Sequence, residues 1–274
     1  MPSSQEVNKQ IRESLGLPAK QESQPTVPVE GHVCDVPLWS YSKKRSSITR
    51  LRIDYDDGSF FELDAPKGMP SPSFPGYLDA ILFYGQRDLF EREYVEISVY
   101  KILQTLEFDP TNGRAYAHFH RDMDRAFAAF IKTDRFRNPK TGQRDYVSYF
   151  RILRRMELAK RRQGVSQFHF DDLFLKSLRS GYLKRLDWEF CLHLDKQKEA
   201  LARFLYGHLL KRIGEKSLYQ RNLLGFLRDI GLGYLGELES KRRNEALKET
   251  IFPALNMVCR YEFDGKNLIF IPKD

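Results

Sequence analysis

The sequence predicts a helix-rich α+β fold in which one arrangement, three helices followed by a β-hairpin, occurs twice. Apolar residues recur at helical spacing in three successive segments of each half, and each set precedes strand-like residues around a turn signal. A chain of 274 residues is also long enough for two domains of about 100–150 residues each. Three helices and a hairpin form a winged helix, so we expect two tandem winged-helix domains, preceded by a flexible N-terminal tail and an additional β-hairpin.

Changes in composition give the expected boundaries. Residues 1–33 are rich in Ser, Gln, Glu and Pro and contain few aromatic residues, which predicts a flexible tail over 1–35. The first winged-helix domain, with its N-terminal hairpin, is expected over 36–194. The second is expected over 195–274.

The overall composition indicates a folded, basic protein. Hydrophobic residues make up 41% and aromatic residues 13%, and the net charge of +8 disposes the surface toward polyanions. Cys34, Cys191 and Cys259 are far apart, which favours a reducing cytoplasm over a disulfide framework or a metal site. No signal peptide or membrane-length apolar run is visible, so we expect a cytoplasmic protein without membrane partner, cofactor or metal.

The first repeat begins with the additional hairpin. Apolar and polar residues alternate from Ile48 to Ile53, Asp57-Gly58 is a hairpin turn signal, and residues 59–63 supply the return strand. Helical spacing then predicts three helices, over 78–89, 97–106 and 111–131.

The third of these helices has a continuous apolar stripe. Spacings of 3, 4, 4 and 3 place five residues on one face: Tyr116, Phe119, Met123, Phe127 and Phe130. After it, the turn-forming segment Asn138–Gly142 and the strand-like run Tyr146–Leu153 predict a basic hairpin that serves as the wing.

The second repeat follows a joining segment at 168–194, predicted as a strand, a short helix from Asp171, and a strand ending at His193-Leu194. Helices are expected over 196–213 and 223–230. Ser240 is expected to cap a third helix that extends to about Val258 and is kinked at Pro253. Asp264-Gly265 is a strong two-residue turn signal for the closing hairpin.

One face of the helix at 111–131 is a candidate reading surface for DNA. Arg114, His118, Arg121 and Arg125 recur at spacings of 4, 3 and 4, with small Ala117 beside them. The third helix of a helix-turn-helix unit enters the major groove, where Arg can donate two hydrogen bonds to guanine. The alternative is an ordinary solvated face on which Asp122 and Asp124 pair with the arginines.

The charge that follows this helix favours the DNA interpretation. Residues 132–162 contain eleven Lys or Arg but only three acids, a ratio suited to a wing that lies along phosphates. The expected contacts around the hairpin are Arg135, Arg137, Lys140 and Arg144.

The second repeat has its own basic cluster at the start of its third helix. Phosphates favour a helix N-terminus, and Asn can pair with adenine in the major groove. The alternative is a merely basic helix start. The candidate contacts are Lys241, Arg242, Arg243, Asn244 and Lys248.

The segment His118-Phe119-His120 raises the possibility of a nicking enzyme. Rolling-circle nickases bind a metal between two such histidines, but that geometry needs a β-strand, where alternate residues share a face. Here the pair lies in a helical pattern and points about 200° apart. No phosphate-binding loop of the ATPase type occurs either. We therefore expect no enzymatic activity.

The stretch between the repeats resembles the plasmid replication initiator protein A family. The similarity is densest over 170–212 and extends over about 36–260. The matching residues are Phe170-Asp171-Asp172, Ser177, Ser180 to Asp187, Phe190, Leu192, Leu194, Ala202 to Tyr206, Leu210-Lys211-Arg212, Leu247-Lys248 and Pro253-Ala254-Leu255.

The resemblance implies a replication initiator that binds repeated sites in a plasmid or phage origin and represses its own promoter. It also implies recruitment of the host replication helicase or its loader. In related initiators the first winged helix contributes dimerisation and backbone contacts and the second reads bases, so a homodimer is an expectation. A transcriptional regulator of the same architecture is the main alternative, although it would be expected to carry a separate ligand or dimerisation domain.

Overall fold

The structure is a computed structural model that describes residues 25–31, 36–41, 47–135, 146–161, 163–179, 183–196, 199–215 and 219–271. Within these ranges the chain contains two units with the same order of elements. In each unit a helix, a strand, two helices and two further strands follow one another, and a three-stranded antiparallel sheet joins the strands.

The first unit is interrupted by an inserted hairpin after its third helix. Its strands are ordered β4-β8-β7, so the strand between the first two helices pairs with the last strand. The elements are α1 (Phe74–Gly85), the short α2 (Asp88–Glu91), β4 (Tyr94–Ser98), α3 (Val99–Thr105), α4 (Gly113–Ala128), β7 (Leu153–Glu157) and β8 (Val165–Phe170).

The second unit has the same topology, because its sheet is ordered β10-β12-β11. This connectivity is that of a winged helix, so the predicted α+β fold with two tandem copies is confirmed. The elements are α7 (Ala200–Glu215), β10 (Tyr219–Asn222), α8 (Leu223–Asp229), a 3₁₀ turn (Gly233–Glu237), a third helix in three sections (α9, Ser240–Ala246; a π-helical turn, Leu247–Ile251; α10, Phe252–Val258), β11 (Arg260–Phe263) and β12 (Asn267–Ile271).

The N-terminal hairpin forms as predicted. Strands β2 (Arg50–Asp54) and β3 (Phe60–Asp64) pair in antiparallel register around Asp57. The Asp57 carboxylate accepts hydrogen bonds from the amide and the hydroxyl of Ser59, which closes the turn.

The prediction of where the wing of the first unit lies is wrong. Strands β5 (Phe130–Thr133) and β6 (Ser148–Phe150) do pair, but β5 also pairs with β3, so both strands extend the N-terminal hairpin into a four-stranded sheet ordered β2-β3-β5-β6. The hairpin that completes the winged-helix sheet is β7–β8, and its described turn residues are 158–161, 163 and 164. The predicted turn at Asn138–Gly142 lies outside the described residues.

Two further expectations fail near the joining segment. Within the predicted tail, β1 (Thr26–Glu30) pairs with β9 (Leu183–Asp187) and buries Val27 and Val29. The strand expected to end at His193-Leu194 instead ends at Asp187, and α6 (Trp188–Lys196) follows it. Its buried Trp188, Cys191 and Leu194 recur every three residues, which suits a helix. The short helix, α5 (Asp172–Arg179), begins where predicted.

A buried ion pair connects the first helices of the two units. Arg203 on α7 donates through Nε to Asp79 Oδ2 on α1 at 3.0 Å, and both side chains are 3% exposed. Asp195 at the end of α6 also faces this cation, and both of its buried carboxylate oxygens are without a hydrogen-bond partner in the described part of the chain. One guanidinium balances one of the two carboxylates, and burial raises the pKa of Asp195 to about 8.

The protonated Asp195 makes stability depend on pH. Because its pKa is above the unfolded value of 3.8, the native state binds an extra proton between about pH 4 and pH 8. We therefore expect the free energy of unfolding to fall as pH rises through this window, by up to ~1.4 kcal/mol per pH unit. Asp195→Asn should remove this slope in urea unfolding measured at several pH values. Glu91→Gln, at an exposed acid, is the control and should keep it; an unchanged slope in Asp195→Asn would contradict the assignment.

Candidate nucleic-acid interface

Helix α4 is the third helix of the first winged helix, and its position is set by its apolar face. Asn112 begins the helix by accepting a hydrogen bond from the Arg114 amide at 2.8 Å. Phe119 and Met123 are fully buried, and the Phe119 ring lies 5.1 Å from that of Tyr77 on α1. With this face packed inward, the opposite face is directed to solvent.

The solvent face presents three of the four residues of the predicted row. Arg114, His118 and Arg121 are all exposed, and Arg121 Nη2 lies 2.5 Å from His118 Nδ1. Arg125 is different: it is half-buried, and its Nη1 donates to the Met69 carbonyl at 3.5 Å. The row is therefore Arg114, His118 and Arg121.

The acids on α4 do not neutralise this row. Asp122 is buried and accepts hydrogen bonds from the amide and hydroxyl of Ser71. Asp124 pairs instead with Lys67 at 2.7 Å. Among the described residues no carboxylate pairs with Arg114 or Arg121, so the ion pairs expected with Asp122 and Asp124 are not made, while the solvated face itself stays an alternative.

The residues expected around the wing are placed differently. The Arg135 guanidinium lies 3.8 Å from the centroid of the Tyr55 ring and donates to Ser59 Oγ at 3.2 Å, so it packs on the N-terminal hairpin. Arg137, Lys140 and Arg144 lie outside the described residues.

The β7–β8 turn carries cations that the site prediction omitted. Lys160 and Arg161 are exposed there, and the Gly164 amide donates to the Arg161 carbonyl at 2.9 Å to close the turn. The signal that could have identified this wing is the alternation of 165–170 after Gly164, directly behind a basic run.

The third helix of the second unit contains a π-helical turn at Leu247–Ile251. The Phe252 amide bonds to the Leu247 carbonyl, five residues back, immediately before Pro253. Since proline lacks an N–H and its ring crowds the preceding turn, this wider turn accommodates it within the helix. At the expected kink near Pro253 the helix is therefore locally widened into a π-helical turn.

The candidate residues at the start of this helix are mostly exposed. Lys241, Arg242, Asn244 and Lys248 face solvent. Arg243 is half-buried and donates to the Gly236 carbonyl at 3.3 Å.

Ser240 does not cap the helix as predicted. Glu239 occupies the N-cap position without a side-chain hydrogen bond, and Ser240 Oγ accepts from Arg243 Nη2 at 3.5 Å instead. The sequence pattern was misleading because Ser240 itself already lies in the first turn of the helix.

The wing of the second unit forms at the predicted turn, where Gly265 has a φ of +92°. The Asp264 carboxylate accepts hydrogen bonds from the Lys266 and Asn267 amides and from the Asn267 side chain, which lowers the pKa of Asp264 to about 2. This wing therefore carries a carboxylate at its tip. The turn of the first wing carries Lys160 and Arg161 instead.

The histidines predicted not to form a nickase site lie on α4, as the helical pattern indicated. His118 contacts Arg121, and the His120 ring lies 6.0 Å from that of Phe119. Within the described ranges no group of three or more His, Cys, Asp or Glu side chains is arranged to hold a metal ion. The described helices also include none with the length and apolar character needed to cross a bilayer.

Taken together, the fold and this face define a chain with two winged-helix units, and the third helix of the first unit exposes two arginines with no carboxylate partner among the described residues. Domains 2 and 3 of RctB, a replication initiator of Vibrio chromosome II, are similar in structure: the TM-score is 0.56 at 14% identity, over 84% of this chain and 93% of that chain. A second structure of RctB domains 2–3 gives 0.48 at 12% identity, over 84% and 94%.

At this identity the likeness to the first RctB structure shows the fold. No family model matches the sequence. No curated protein matches it either. Membership of the plasmid initiator protein A family stays a prediction.

Substitutions on the two third helices separate two models of base reading. If α4 reads bases, Arg121→Ala should cost about 1–3 kcal/mol on a cognate duplex and little on a scrambled one, because a bidentate contact to guanine is lost. If the second unit reads bases instead, Asn244→Ala should relax the sequence preference and Arg121→Ala should weaken both duplexes equally. Fluorescence anisotropy at one fixed salt concentration measures these constants. If neither variant changed the affinity for either duplex, the docking of both helices would be contradicted.

Proposed function

We propose that this chain is a sequence-specific, double-stranded DNA-binding replication initiator. It recognises repeated sites in a plasmid or phage origin, represses its own promoter, and recruits the host replication helicase or its loader. The observation that carries the proposal is the outward row of Arg114, His118 and Arg121 on the third helix of a winged helix, with no acid of the described residues paired to the arginines.

The chemistry of this row suits the major groove. A guanidinium presents paired donors that match O6 and N7 of guanine, and the 2.5 Å contact with His118 holds the Arg121 fork in place before DNA arrives. Lys160 and Arg161 on the adjacent wing supply cations for phosphates, which position the helix without reading sequence.

The tandem arrangement supports an initiator with an extended site. The second unit presents Lys241, Asn244 and Lys248 on its own third helix, and the buried Arg203–Asp79 pair couples the two units. Two reading helices on one chain, together with the expected homodimer, fit the repeated sites of an origin. The structural likeness to RctB domains 2 and 3 supports the proposal that this chain is an initiator.

Footprinting tests the proposal on the DNA that flanks the gene for this protein. We expect protection of several repeated sequences in the origin and of the gene's own promoter. Protection of the promoter without any repeats would favour a transcriptional regulator, and random protection would contradict sequence-specific binding.

The salt dependence of binding tests the phosphate contacts. With about six to eight such contacts, a plot of log K against log salt should have a slope near −5 to −7, because bound counterions are released. Replacing Lys160 and Arg161 by Gln should reduce the magnitude of the slope by about two, since each phosphate contact contributes about 0.9. Replacement of both Arg87 and Arg92 by Gln is the matched control, because these two exposed cations already face Glu91 and Glu96. Equal changes in both variants would show that only total charge matters.

We also propose that the protein has no nicking activity. His118 and His120 lie two residues apart on a helix, where they point in different directions and do not form a metal site together. Incubation of supercoiled origin DNA with the protein and Mg²⁺ or Mn²⁺ should give neither open circles nor protein–DNA adducts. A covalent adduct through any tyrosine would contradict this.

A further inference from the structure

The outer face of the inserted hairpin exposes large aromatic side chains. Phe130 on β5 is 36% exposed, Tyr149 on β6 is 59% exposed, and Tyr146, just before β6, is 76% exposed. Alternate residues of the same strands, Ile131 and Phe150, fill the core. These aromatic side chains are therefore not needed to fill the core, and among the described strands β6 is paired on one side only.

Cations lie beside two of these rings, those of Tyr149 and Phe130. Lys132 Nζ lies 5.5 Å from the centroid of the Tyr149 ring, and the Arg151 guanidinium carbon lies 5.9 Å from that of Phe130. The Phe130 and Tyr149 rings are 6.1 Å apart. We refer to Phe130, Lys132, Tyr146, Tyr149 and Arg151 together as the aromatic edge.

The negative charge of the sheet is concentrated on its other half. Glu62 lies opposite Lys132 in the strand register, but it pairs with Arg52, which also pairs with Asp54. Among the described residues no carboxylate forms an ion pair with Lys132 or Arg151. The aromatic edge therefore combines exposed rings with two cations that have no carboxylate partner in the described part of the chain, whereas the acids Asp54, Glu62 and Asp64 lie on β2 and β3, with Asp64 opposite Phe130 in the register.

This combination fits a strand of unpaired nucleotides. Each unpaired base offers a flat face that stacks on an aromatic ring, and each phosphate attracts a neighbouring cation. A duplex hides its base faces inside the stack, so it would use the cations and leave the rings exposed. A second protein chain could cover the rings, but it would not account for the cations beside Tyr149 and Phe130.

We propose that the aromatic edge binds single-stranded nucleic acid, with bases stacked on Tyr149 and Phe130 and phosphates held by Lys132 and Arg151. The surface is separate from the reading row on α4, so it adds a second binding mode to the proposed duplex recognition and does not depend on it. In an opened origin it would hold one of the separated DNA strands.

Binding of the full chain to oligo(dT) and oligo(rU) of about 15 nucleotides, measured by anisotropy, tests the proposal. Tyr149→Ala and Phe130→Ala should each weaken binding to the single strand roughly five- to hundredfold, because stacking of one base is lost. Tyr149→Phe should keep most of the affinity, since the ring remains. Comparison of the two oligonucleotides shows whether DNA or RNA is the preferred strand.

Tyr84→Ala is the matched control, because Tyr84 is an exposed ring with a cation, Lys101, at 4.2 Å, but it lies outside the sheet. Neither it nor Tyr149→Ala should change binding to duplex DNA. Failure of the wild-type chain to bind either oligonucleotide, or an equal loss in Tyr84→Ala, would overturn the proposal.

Two further results would also overturn it. If Tyr149→Ala weakened binding to duplex DNA as much as binding to the single strand, the aromatic edge would belong to the duplex interface. If Tyr149→Ala changed the protein from dimer to monomer in sedimentation velocity without loss of single-strand binding, the aromatic edge would be a self-association surface. If duplex binding were absent altogether while the oligonucleotides still bound in the expected way, the proposed duplex recognition would fail and the aromatic edge would stand.

Discussion

The buried Arg203 guanidinium is the constraint on which the arrangement of the two units depends. It sits between Asp79 of the first unit and the carboxylate of Asp195, where water does not screen it. A charge in that position is tolerated only when its partners are fixed, because an unpaired buried ion is costly. The first helices α1 and α7 are consequently held together, and with them the third helices that they support.

The N-terminal hairpin strengthens this joint from a different side. Asp56, in its turn, lies 2.7 Å from Arg221 and 3.3 Å from Arg228 of the second unit. The Tyr41 hydroxyl donates to the Ile230 carbonyl at 2.9 Å. Gly231 has a φ of +72° and lies so close to Pro37 that a Cβ would be 2.8 Å from the ring, so a larger residue there would separate the contact. The hairpin, together with residues 37–41 that precede it, thus connects the first winged helix to the second.

Local features of the fold were predictable from the sequence, and pairings between distant segments were not. The stripe through Phe119 and Met123 and the turns at Asp57 and Asp264 are short-range patterns, and the structure has them where expected. Strand β5 pairs with β3, which is distant in the sequence, so no local pattern indicates this pairing. A basic hairpin directly after α4 therefore matched the pattern expected of a wing. For the candidate site, the pattern placed Arg114, His118 and Arg121 correctly on one exposed face, but it could not show that Arg125 turns toward Met69 or that Lys67 captures Asp124.

The pairing of β1 with β9 has a consequence for how the chain is made. During synthesis β1 emerges early, but its partner strand, Leu183–Asp187, follows only after the whole first winged helix has been translated. The backbone amides and carbonyls of β1 therefore stay unpaired on the nascent chain for that time, a state that favours misassociation. A fragment that ended before Leu183 would leave this strand edge unpaired permanently, so a well-behaved isolated first unit would have to begin after Glu30 or include β9.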